Sequence, residues 1–329
     1  MTSPRFTLLQ SRWWRRVREQ QGWTALSDKP LVLCRRVGPL RLAYSPHAFA
    51  AEPGRPTREY VARLRAIAAA ADPSPQLLRW DIPFADREGW GDDLAAEGLR
   101  PSPVRVQPAS TVVVGLGEGE EACLAAMKGK WRYNIRLAQR KGVVVERYTG
   151  SAIATQLPQW YQVYRETAAR DRISIHPEQY YRVVLETAVE MRAAGEEAPE
   201  PSLYLARHDG DLLGGIVVVS WQGMSTYLYG ASTSARRNLM GNYALQWAAM
   251  AQAIGQGDHS YDLFGIPPTE DPKHPMHGLY RFKTGFGGRI VHRPGCRDLV
   301  MRPVPAGLFR HAERARSWYH HRLRKGRRS

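Results

Sequence analysis

The sequence predicts an α/β (α+β) protein made of two tandem domains of one kind. Its 329 residues are too many for one ordinary domain and suit two. Hydrophobic residues make up 43% of the chain, which is enough for two proper cores. A similar order of paired strands, helix, strand, helix and strand occurs twice along the chain, and this repeated layout indicates two related domains.

The first half begins with an amphipathic helix. Between Arg12 and Trp23 the apolar residues share one side and the arginines the other, which is typical of a helix packed on a core. The elements that follow are the strands "PLVLCRRV" and "PLRLAYSP" around a turn at residues 37–39, the helix "TREYVARLRAIAAAA" capped by Thr57, the strand "QLLRWDIP", the helix "REGWGDDLAAEG", the strand "STVVVGL" and a helical stretch "EEACLAAMKGKWRYNIRLAQRKG" closed by Gly142.

The second half repeats the plan. Residues 225–230, 242–255 and 260–264 correspond to residues 40–45, 57–71 and 77–81 of the first half, and we expect the domains to join near residues 146–155. Its elements are the helices "LPQWYQVYRETAARD" and "PEQYYRVVLETAVEMRAAG", a hairpin "SLYLARHDGDLLGGIVVVSW" turning at Asp209-Gly210, the strand "STYLYGAS", the helix "GNYALQWAAMAQAIG", the strand "SYDLFGI", the short helix "GLYRFKTGFG" and the strand "RIVHRP".

The net charge of +16 indicates polyanionic partners. Residues 302–329 hold eight Arg and one Lys against one Glu, so this tail carries half of the excess. The rest is spread over the body, which favours nucleic acid, anionic lipid or phosphorylated substrates. A basic protein without such a partner is the alternative.

Several classes of protein are excluded by what the sequence lacks. No window approaches the length of an apolar membrane span, and "MTSPRFTLLQSRWWRR" has neither the apolar core nor the cleavage site of a signal peptide, so we expect a cytoplasmic protein. Cys34, Cys123 and Cys296 lie far apart, and no histidine pair has metal-ligand spacing. We therefore expect reduced thiols and no metal.

The order of elements resembles that of an acyltransferase of the acetyltransferase superfamily. There, a Gln/Arg-x-x-Gly-x-Gly/Ala turn opens the central helix, and its bare amides cradle the pyrophosphate of coenzyme A. The matching stretch "RNLMGNYAL" keeps Arg237 but holds Met240 and Asn242 at the two small positions. This argues against acetyl-CoA as donor, so we expect another activated acyl group and no cofactor.

Seven segments occur in a fixed order along the chain. They are "FTLLQSRWWRRVREQQGW", "LLRWDIPF", "VQPASTVVVGL", "MKGKWRYNIRLAQRKGVVV", "YLYGAS", "YDLFGI" and "GLYRFKTGFGG". Together they resemble the Fem family (FemA, FemB, FemX) of non-ribosomal peptidyltransferases of cell-wall synthesis, and the resemblance runs from about residue 6 to residue 293.

The resemblance implies two acetyltransferase-like domains and a defined activity. The enzyme would move an amino acid from aminoacyl-tRNA to the side-chain amine at position three of the peptidoglycan stem peptide, building the interpeptide bridge that supports cell-wall biogenesis and cell shape. It implies neither metal nor coenzyme A. We expect residues 1–148 with 293–329 to form the first domain, which binds the acceptor, and residues 149–292 the second, on the aminoacyl-tRNA side.

The resemblance assigns the catalytic role to two neighbours, Lys283 and Phe282. Lys283 matches the family lysine at the acceptor end of tRNA, and Phe282 would stack on the terminal adenine or pack the lysine stem. Acyl transfer from an activated ester needs positioning and a cation near the developing oxyanion more than a nucleophile of the enzyme's own. A solvated lysine on a short helix is the alternative for Lys283.

Acceptor binding is implied for residues of both halves. Arg18 falls on a basic residue that contacts acceptor phosphate, with a surface arginine as the alternative. In "ISIHPEQYY" the family pattern Arg-Pro-x-x-Tyr keeps Tyr180 but has His176 in place of arginine, a loss of fixed charge for which Arg170 or Arg172 would compensate. Tyr229 matches a substrate-contacting tyrosine, with a half-buried strand aromatic alternating with Tyr227 as the alternative.

No residue here matches the acidic residue that some relatives place before the "VQP" strand, so we expect no local general base. The attacking amine's proton would then leave through substrate or water.

A row of like charges adds a surface for tRNA or phosphate. Lys128, Arg132, Arg136 and Arg140 recur at i, i+4 spacing, which a merely solvated helix face would tend to avoid because like charges repel. The basic tail, with its aromatic residues, would contact tRNA or the anionic inner face of a membrane holding a lipid-linked acceptor, and a solubilising tail is the alternative. The acceptor itself is lipid-linked or UDP-linked.

Two further functions remain open from the sequence. One is an N-acyltransferase that takes its acyl group from a donor other than coenzyme A, such as an acyl carrier protein. The other is a basic nucleic-acid-binding protein without enzymatic activity. The amino acid transferred, the acceptor's diamino acid and the oligomeric state are not encoded in any pattern of the chain.

Overall fold

The computed structural model describes residues 7–48, 58–83, 85–86 and 90–303. Two compact units divide them: unit 1 holds the described residues up to Ala109 and those from His292 on, and unit 2 is Ser110–Val291. Each has its own sheet with helices, so the predicted α/β class with two tandem domains is confirmed. The helix cap expected at Thr57 and the basic tail beyond residue 303 lie outside the described residues.

The division between the units differs from the one predicted. The sequence placed it near residue 148, whereas the structure places it between Ala109 and Ser110. The reason is strand pairing: the two strands within residues 110–148 both hydrogen-bond to strands of the second sheet. Such pairing joins residues distant in sequence, so no local pattern reveals it.

Unit 1 is built on a six-stranded sheet in the order β1-β2-β3-β4-β13-β5. Trp13, Trp14 and Val17 of the first helix are buried, as predicted, while the half-exposed strand β1 was not predicted. The strands are β1 (Thr24–Asp28), β2 (Leu31–Val37), β3 (Leu40–Ser45), β4 (Leu77–Asp81), β5 (Leu99–Pro101) and β13 (Cys296–Val300), and the helices are α1 (Arg12–Glu19), α2 (Arg58–Ala69) and α3 (Trp90–Ala96).

The centre of this sheet is a parallel pair joined through α2. β3 and β4 run parallel, from Leu42 opposite Leu77 to Ser45 opposite Trp80. β13, from late in the chain, lies antiparallel between β4 and β5. Arg79 of β4 and Asp298 of β13 form a fully buried ion pair, with Nε 2.8 Å from Oδ1. Removing either partner would leave a buried charge uncompensated.

Unit 2 contains a seven-stranded sheet in the order β12-β6-β11-β10-β9-β8-β7. β10 and β11 are its parallel pair, joined by a helix as β3 and β4 are. The strands are β6 (Ser110–Gly115), β7 (Val144–Tyr148), β8 (Glu200–His208), β9 (Asp211–Trp221), β10 (Met224–Ser232), β11 (Ser260–Gly265) and β12 (Arg289–His292), and the helices are α4 (Gly119–Ala126), α5 (Gly129–Arg140), α6 (Ala152–Asp171), α7 (Glu178–Ala193), α8 (Gly241–Gly255) and α9 (His277–Thr284).

Each face of the second sheet carries its own core. Side chains alternate along β8, so that Tyr204 and Ala206 pack with α5 and α8, while Leu203 and Leu205 pack with α6 and α7. We call these the α8 face and the α6 face. The distinction matters because the candidate functional residues of unit 2 divide between them.

Most predicted elements of unit 2 are found, with two differences. The hairpin turns at Asp209 and Gly210, which have φ of 50° and 84°, as the short turn requires. α6 begins at Ala152 and contains Pro158, because Ile153 already belongs to its buried stripe. The predicted helical stretch before Gly142 is two helices, since Met127 and Lys128 are extended.

Candidate functional site

The candidate site of unit 2 lies where its two parallel strands separate. They pair over three positions, Met224–Thr226 with Ser260–Asp262. β10 then bulges after Tyr227, and the register of β11 with β6 shifts after Asp262. Bulges end pairing and redirect side chains, and the carboxyl ends of parallel strands are the usual place of ligand sites in α/β sheets.

Lys283 of α9 lies at this opening. Its Nζ donates a hydrogen bond to the Gly265 carbonyl oxygen at 2.9 Å and lies 5.0 Å from the centre of the Tyr227 ring. Phe264, just before Gly265, has φ of 61°, a left-handed conformation uncommon for a residue with a side chain. Lys283 is only 5% exposed, so the alternative of a solvated lysine is wrong.

Burial changes the acid–base behaviour of this amine. Desolvation lowers the pKa of Lys283 from 10.5 to about 7, and the nearby Asp262 carboxylate opposes the shift. Asp262 is itself buried and accepts hydrogen bonds from the Thr111 hydroxyl and the Phe264 amide. The site therefore holds an amine that gains or loses its proton near neutral pH.

Helix α9 is fixed in place by α5. The Trp131 indole Nε1 donates to the Phe282 carbonyl oxygen at 2.8 Å, and the Lys128 amide donates to the Gly285 carbonyl oxygen at 2.9 Å. Gly285 lies against the Trp131 ring so closely that a Cβ there would overlap it. The glycines of "KTGFGG" thus allow close packing as well as a tight turn.

Phe282 is a packing residue in this structure. Its half-buried ring makes edge contacts with Tyr243 and Phe286, with centroids 5.2 Å apart in both cases. It belongs to the rim of the core on the α8 face. Its described contacts support the helix that carries Lys283.

Tyr227 and Tyr229 project to opposite faces of the sheet. Simple alternation would put both on one face, but the bulge between them inserts an extra residue, so Tyr227 packs on the α8 face and Tyr229 on the α6 face. Tyr229 is thus a half-buried strand aromatic, as the alternative interpretation had it, but the bulge places it on the face opposite to Tyr227. Lys283 and Tyr229 reach the strand opening from different sides.

A group of aromatic residues surrounds Tyr229 on the α6 face. The His176 ring stacks on Tyr180 with centroids 3.9 Å apart, and Tyr181 meets Tyr229 edge-on at 4.9 Å. Burial, followed by the neighbouring Tyr180 hydroxyl, raises the pKa of Tyr229 well above its usual value. The structure thus brings together His176, Tyr180 and Tyr229, three of the predicted acceptor residues.

Arg170, predicted to compensate for the missing arginine, is occupied by other contacts. Its guanidinium donates to the Ser232 carbonyl oxygen at 2.8 Å and forms an ion pair with Asp171 at 2.9 Å. These contacts hold the end of α6 to the end of β10. Arg170 therefore has a structural role that sequence alone did not reveal.

The predicted row of four cations is not uniform. Arg132 folds back along α5 and donates to the carbonyl oxygens of Ala125 and Met127 at the end of α4. It satisfies carbonyls that a helix end leaves open. Lys128, Arg136 and Arg140 are exposed, so three members of the row face solvent.

Arg18, the predicted phosphate contact of unit 1, lies among tryptophans. Its guanidinium carbon is 4.8 Å from the centre of the Trp23 ring and 5.5 Å from that of Trp14. Nη1 also donates to Gln21 Oε1 at 2.7 Å. Such cation–π contacts orient the half-buried guanidinium without neutralising it.

Several residues that build these sites were not predicted from the sequence. Tyr227, Asp262 and Trp131 surround Lys283 or its helix, and only an aspartate in an otherwise apolar strand gave a signal. Unit 1 also contains Asp81 at the end of β4, which accepts a hydrogen bond from the Tyr44 hydroxyl at 2.6 Å. Desolvation raises the pKa of Asp81 to about 6.

The start of α8, where a coenzyme A cradle was weighed, is closely packed. Met240 has φ of 59°, and a Cβ on Gly241 would lie 3.2 Å from the Leu213 Cβ. Gly241 thus allows close packing against β9.

Across the described ranges, no three His, Cys, Asp or Glu side chains cluster as metal ligands would. No helix within residues 7–48, 58–83 and 90–303 has the length and apolarity to cross a bilayer.

Comparison with known proteins identifies the family. The model of the FemAB family matches residues 101–191 and 204–314, more than half of the chain. The chain belongs to the FemAB family. The resemblance predicted from seven ordered segments is thereby confirmed.

Two staphylococcal proteins are similar to part of this chain. A protein named lipid II:glycine glycyltransferase from Staphylococcus saprophyticus is 33% identical over 93 residues, which cover 28% of this chain and 22% of that protein. A protein of the same name from Staphylococcus haemolyticus is 32% identical over 98 residues, 30% of this chain and 23% of that protein. The chain thus spans under a quarter of the length of these relatives.

Solved structures share the fold at low identity. A crystal structure of FemX superposes with a TM-score of 0.78 at 18% identity, over 94% of this chain and 96% of FemX. L-PGS from Bacillus licheniformis gives a TM-score of 0.53 at 13% identity, over 86% and 85%. The predicted fold of two tandem α/β domains is confirmed by the FemX likeness and by the parallel strand pair that each unit contains.

Proposed function

We propose that this protein is an aminoacyltransferase that moves an amino acid from aminoacyl-tRNA to the position-three side-chain amine of a peptidoglycan precursor. Membership of the FemAB family supports transfer chemistry, and two relatives named lipid II:glycine glycyltransferases support a peptidoglycan precursor as acceptor. The observation that carries the proposal is the buried amine of Lys283 at the opening between β10 and β11.

The chemistry needs no further group from the protein. The acceptor amine attacks the ester carbonyl of the aminoacyl-tRNA, a C–N bond forms, and the C–O bond to the ribose breaks. Negative charge develops first on the carbonyl oxygen and then on the ribose oxygen, where the Lys283 ammonium would stabilise it. The proton of the attacking amine leaves through substrate or water and finally resides on the ribose oxygen.

The other predicted residues take supporting roles in this proposal. Phe282 and Trp131 fix the helix that carries the lysine. His176, Tyr180 and Tyr229 offer hydrogen bonds and ring faces to the acceptor from the α6 face, and Arg18 offers a cation to acceptor phosphate. We place the reaction in the cytoplasm, with the basic tail contacting tRNA or the inner membrane face.

Direct transfer tests the proposal. Folded protein is incubated with tRNA carrying a radiolabelled amino acid and with either a UDP-linked or a lipid-linked precursor, and label in the precursor is counted. We expect label with at least one acceptor. Transfer from an acyl carrier protein instead would favour the N-acyltransferase alternative, and RNA binding without any transfer would favour the non-enzymatic one.

A further inference from the structure

Helix α5 presents a strip of exposed cations around an exposed aromatic ring. Tyr133, Arg136 and Arg140 recur at i, i+3 and i+7, so they share one side of the helix. Tyr133 is 55% exposed, and the Arg140 guanidinium carbon lies 5.8 Å from the centre of its ring. The flanking Lys130 and Lys141 are exposed as well, and we call these five residues the basic strip.

The cations of the strip differ from others on the same unit. α5 contains no Asp or Glu, and among the described residues none of the four cations of the strip forms an ion pair. Elsewhere in unit 2 several arginines are matched with carboxylates. Examples are Arg147 with Glu200, Arg182 with Glu178 and Glu186, Arg192 with Glu200, and Arg207 with Glu146. Uncompensated like charges on one helix repel, so this surface is arranged for a polyanion.

The strip starts beside the transfer site. The first turn of α5 is bonded to α9 through the Lys128 amide and the Trp131 indole, next to Lys283. Twelve residues at 1.5 Å per residue then carry the strip about 18 Å away from that point. A polyanion lying along α5 would thus have one end beside the buried lysine.

We propose that the basic strip binds the sugar–phosphate backbone of the RNA whose acceptor end reaches Lys283. This inference rests on the proposed function. An RNA strand fits better than a membrane because the cations are spread along the length of α5 to its C-cap and Tyr133 is the strip's one apolar ring. Arginine with an exposed aromatic is suited to phosphate and base faces, and such binding is salt-dependent and independent of sequence.

Paired variants of equal charge test the strip. Arg136→Gln/Arg140→Gln removes two cations from the strip, and Arg182→Gln/Arg192→Gln removes two that are matched with carboxylates. Binding of uncharged tRNA is measured by fluorescence anisotropy over a range of KCl concentrations. We expect the strip variant to bind at least about tenfold more weakly with a salt slope reduced by about two, and the control to bind like wild type. Equal binding by both variants would overturn the proposal.

The length of the donor separates this inference from the proposed function. Transfer is compared between full aminoacyl-tRNA and a short aminoacylated oligonucleotide that ends in the same acceptor sequence. We expect the strip variant to lose several-fold more kcat/KM with the full tRNA than with the short donor, and an equal loss would refute the strip. If wild type transfers from neither donor, the proposed function fails while the anisotropy result still decides the strip. Loss of binding to anionic phosphatidylglycerol vesicles with tRNA binding intact would assign the strip to membrane and overturn the RNA assignment.

Discussion

Burial of one amine is the main feature at the residue scale. Lys283 is enclosed by the Gly265 carbonyl, the Tyr227 ring and the nearby Asp262 carboxylate. A lysine kept in such a place costs stability, because removing a cation from water is unfavourable unless it is fully compensated. Such a cost is typical of a functional position.

Removal of this amine should strongly lower the rate of transfer and leave the fold intact. We expect Lys283→Met to lower the transfer rate at least about a hundredfold, because a donor aimed at the developing oxyanion is lost. Lys273→Met, which changes an exposed lysine of the preceding loop, is the matched control and should keep its rate. The rate is measured with labelled aminoacyl-tRNA, and folding is checked by circular dichroism. A fully active Met variant would remove Lys283 from the mechanism.

The lowered pKa predicts how stability depends on pH. Between pH 7 and 10.5 the unfolded chain keeps the Lys283 proton while the folded protein has lost it, so this residue makes the free energy of unfolding rise with pH in that window. The Lys283→Met variant lacks this contribution. We expect the variant's advantage in unfolding free energy over wild type to be greatest near pH 7 and to shrink towards pH 10.5. Urea unfolding of both proteins from pH 7 to 10.5 measures this difference in unfolding free energy. A difference that does not change with pH would contradict the lowered pKa of Lys283.

At the scale of elements, the position of Lys283 depends on the bulges in β10 and β11 and on the close contact between α9 and α5. The bulges open the parallel pair β10 and β11, and α9 places its lysine there because it packs on α5. Sequence periodicity predicted each of these strands and the helix α9. It did not predict the bulges, because a bulge is a mismatch in pairing between a strand and its neighbour, and that neighbour is not known from a local pattern.

The contact between α9 and α5 can be tested with two glycines of one segment. Gly285 has φ of −74°, so alanine suits its backbone, but the added Cβ would overlap the Trp131 ring. We expect Gly285→Ala to lower the free energy of unfolding by about 1–3 kcal/mol through overpacking and to reduce transfer. Gly278→Ala in the same helix meets no atom within 4 Å and should be neutral or slightly stabilising. Thermal unfolding of both variants measures the difference in stability. Equal stability of the two variants would contradict the role of Gly285 in packing against Trp131.

At the scale of the whole molecule, the chain divides into two units, each built on its own sheet. The second sheet lies within Ser110–Val291 except for His292, the last residue of β12, and its seven strands pair with one another. A cut at residue 148 would remove β6 and β7, which would leave β12 unpaired and β8 and β11 each with only one neighbouring strand. Exposed strand edges and a lost core face are strongly destabilising.

Fragments test this division. We expect residues 110–291 to unfold cooperatively as an isolated fragment, because its pairings and both cores are internal. Residues 149–292, the second domain that the sequence suggested, should aggregate or lack a cooperative transition. Circular dichroism and thermal melting of both fragments are compared at equal concentration. Cooperative unfolding of the shorter fragment would contradict the boundary at Ser110.

The sequence by itself determined most of the helices and strands, the buried face of helix α1, the hairpin turn at Asp209-Gly210 and the place of Lys283 on a short helix. These depend on periodicity and turn residues within a few positions, which the sequence displays directly. Only the tertiary structure decided that Lys283 is buried, that Tyr227 and Tyr229 face opposite ways, and that the units divide at Ser110. Those features arise from strand pairing and packing between residues far apart in the chain, where local patterns carry no information.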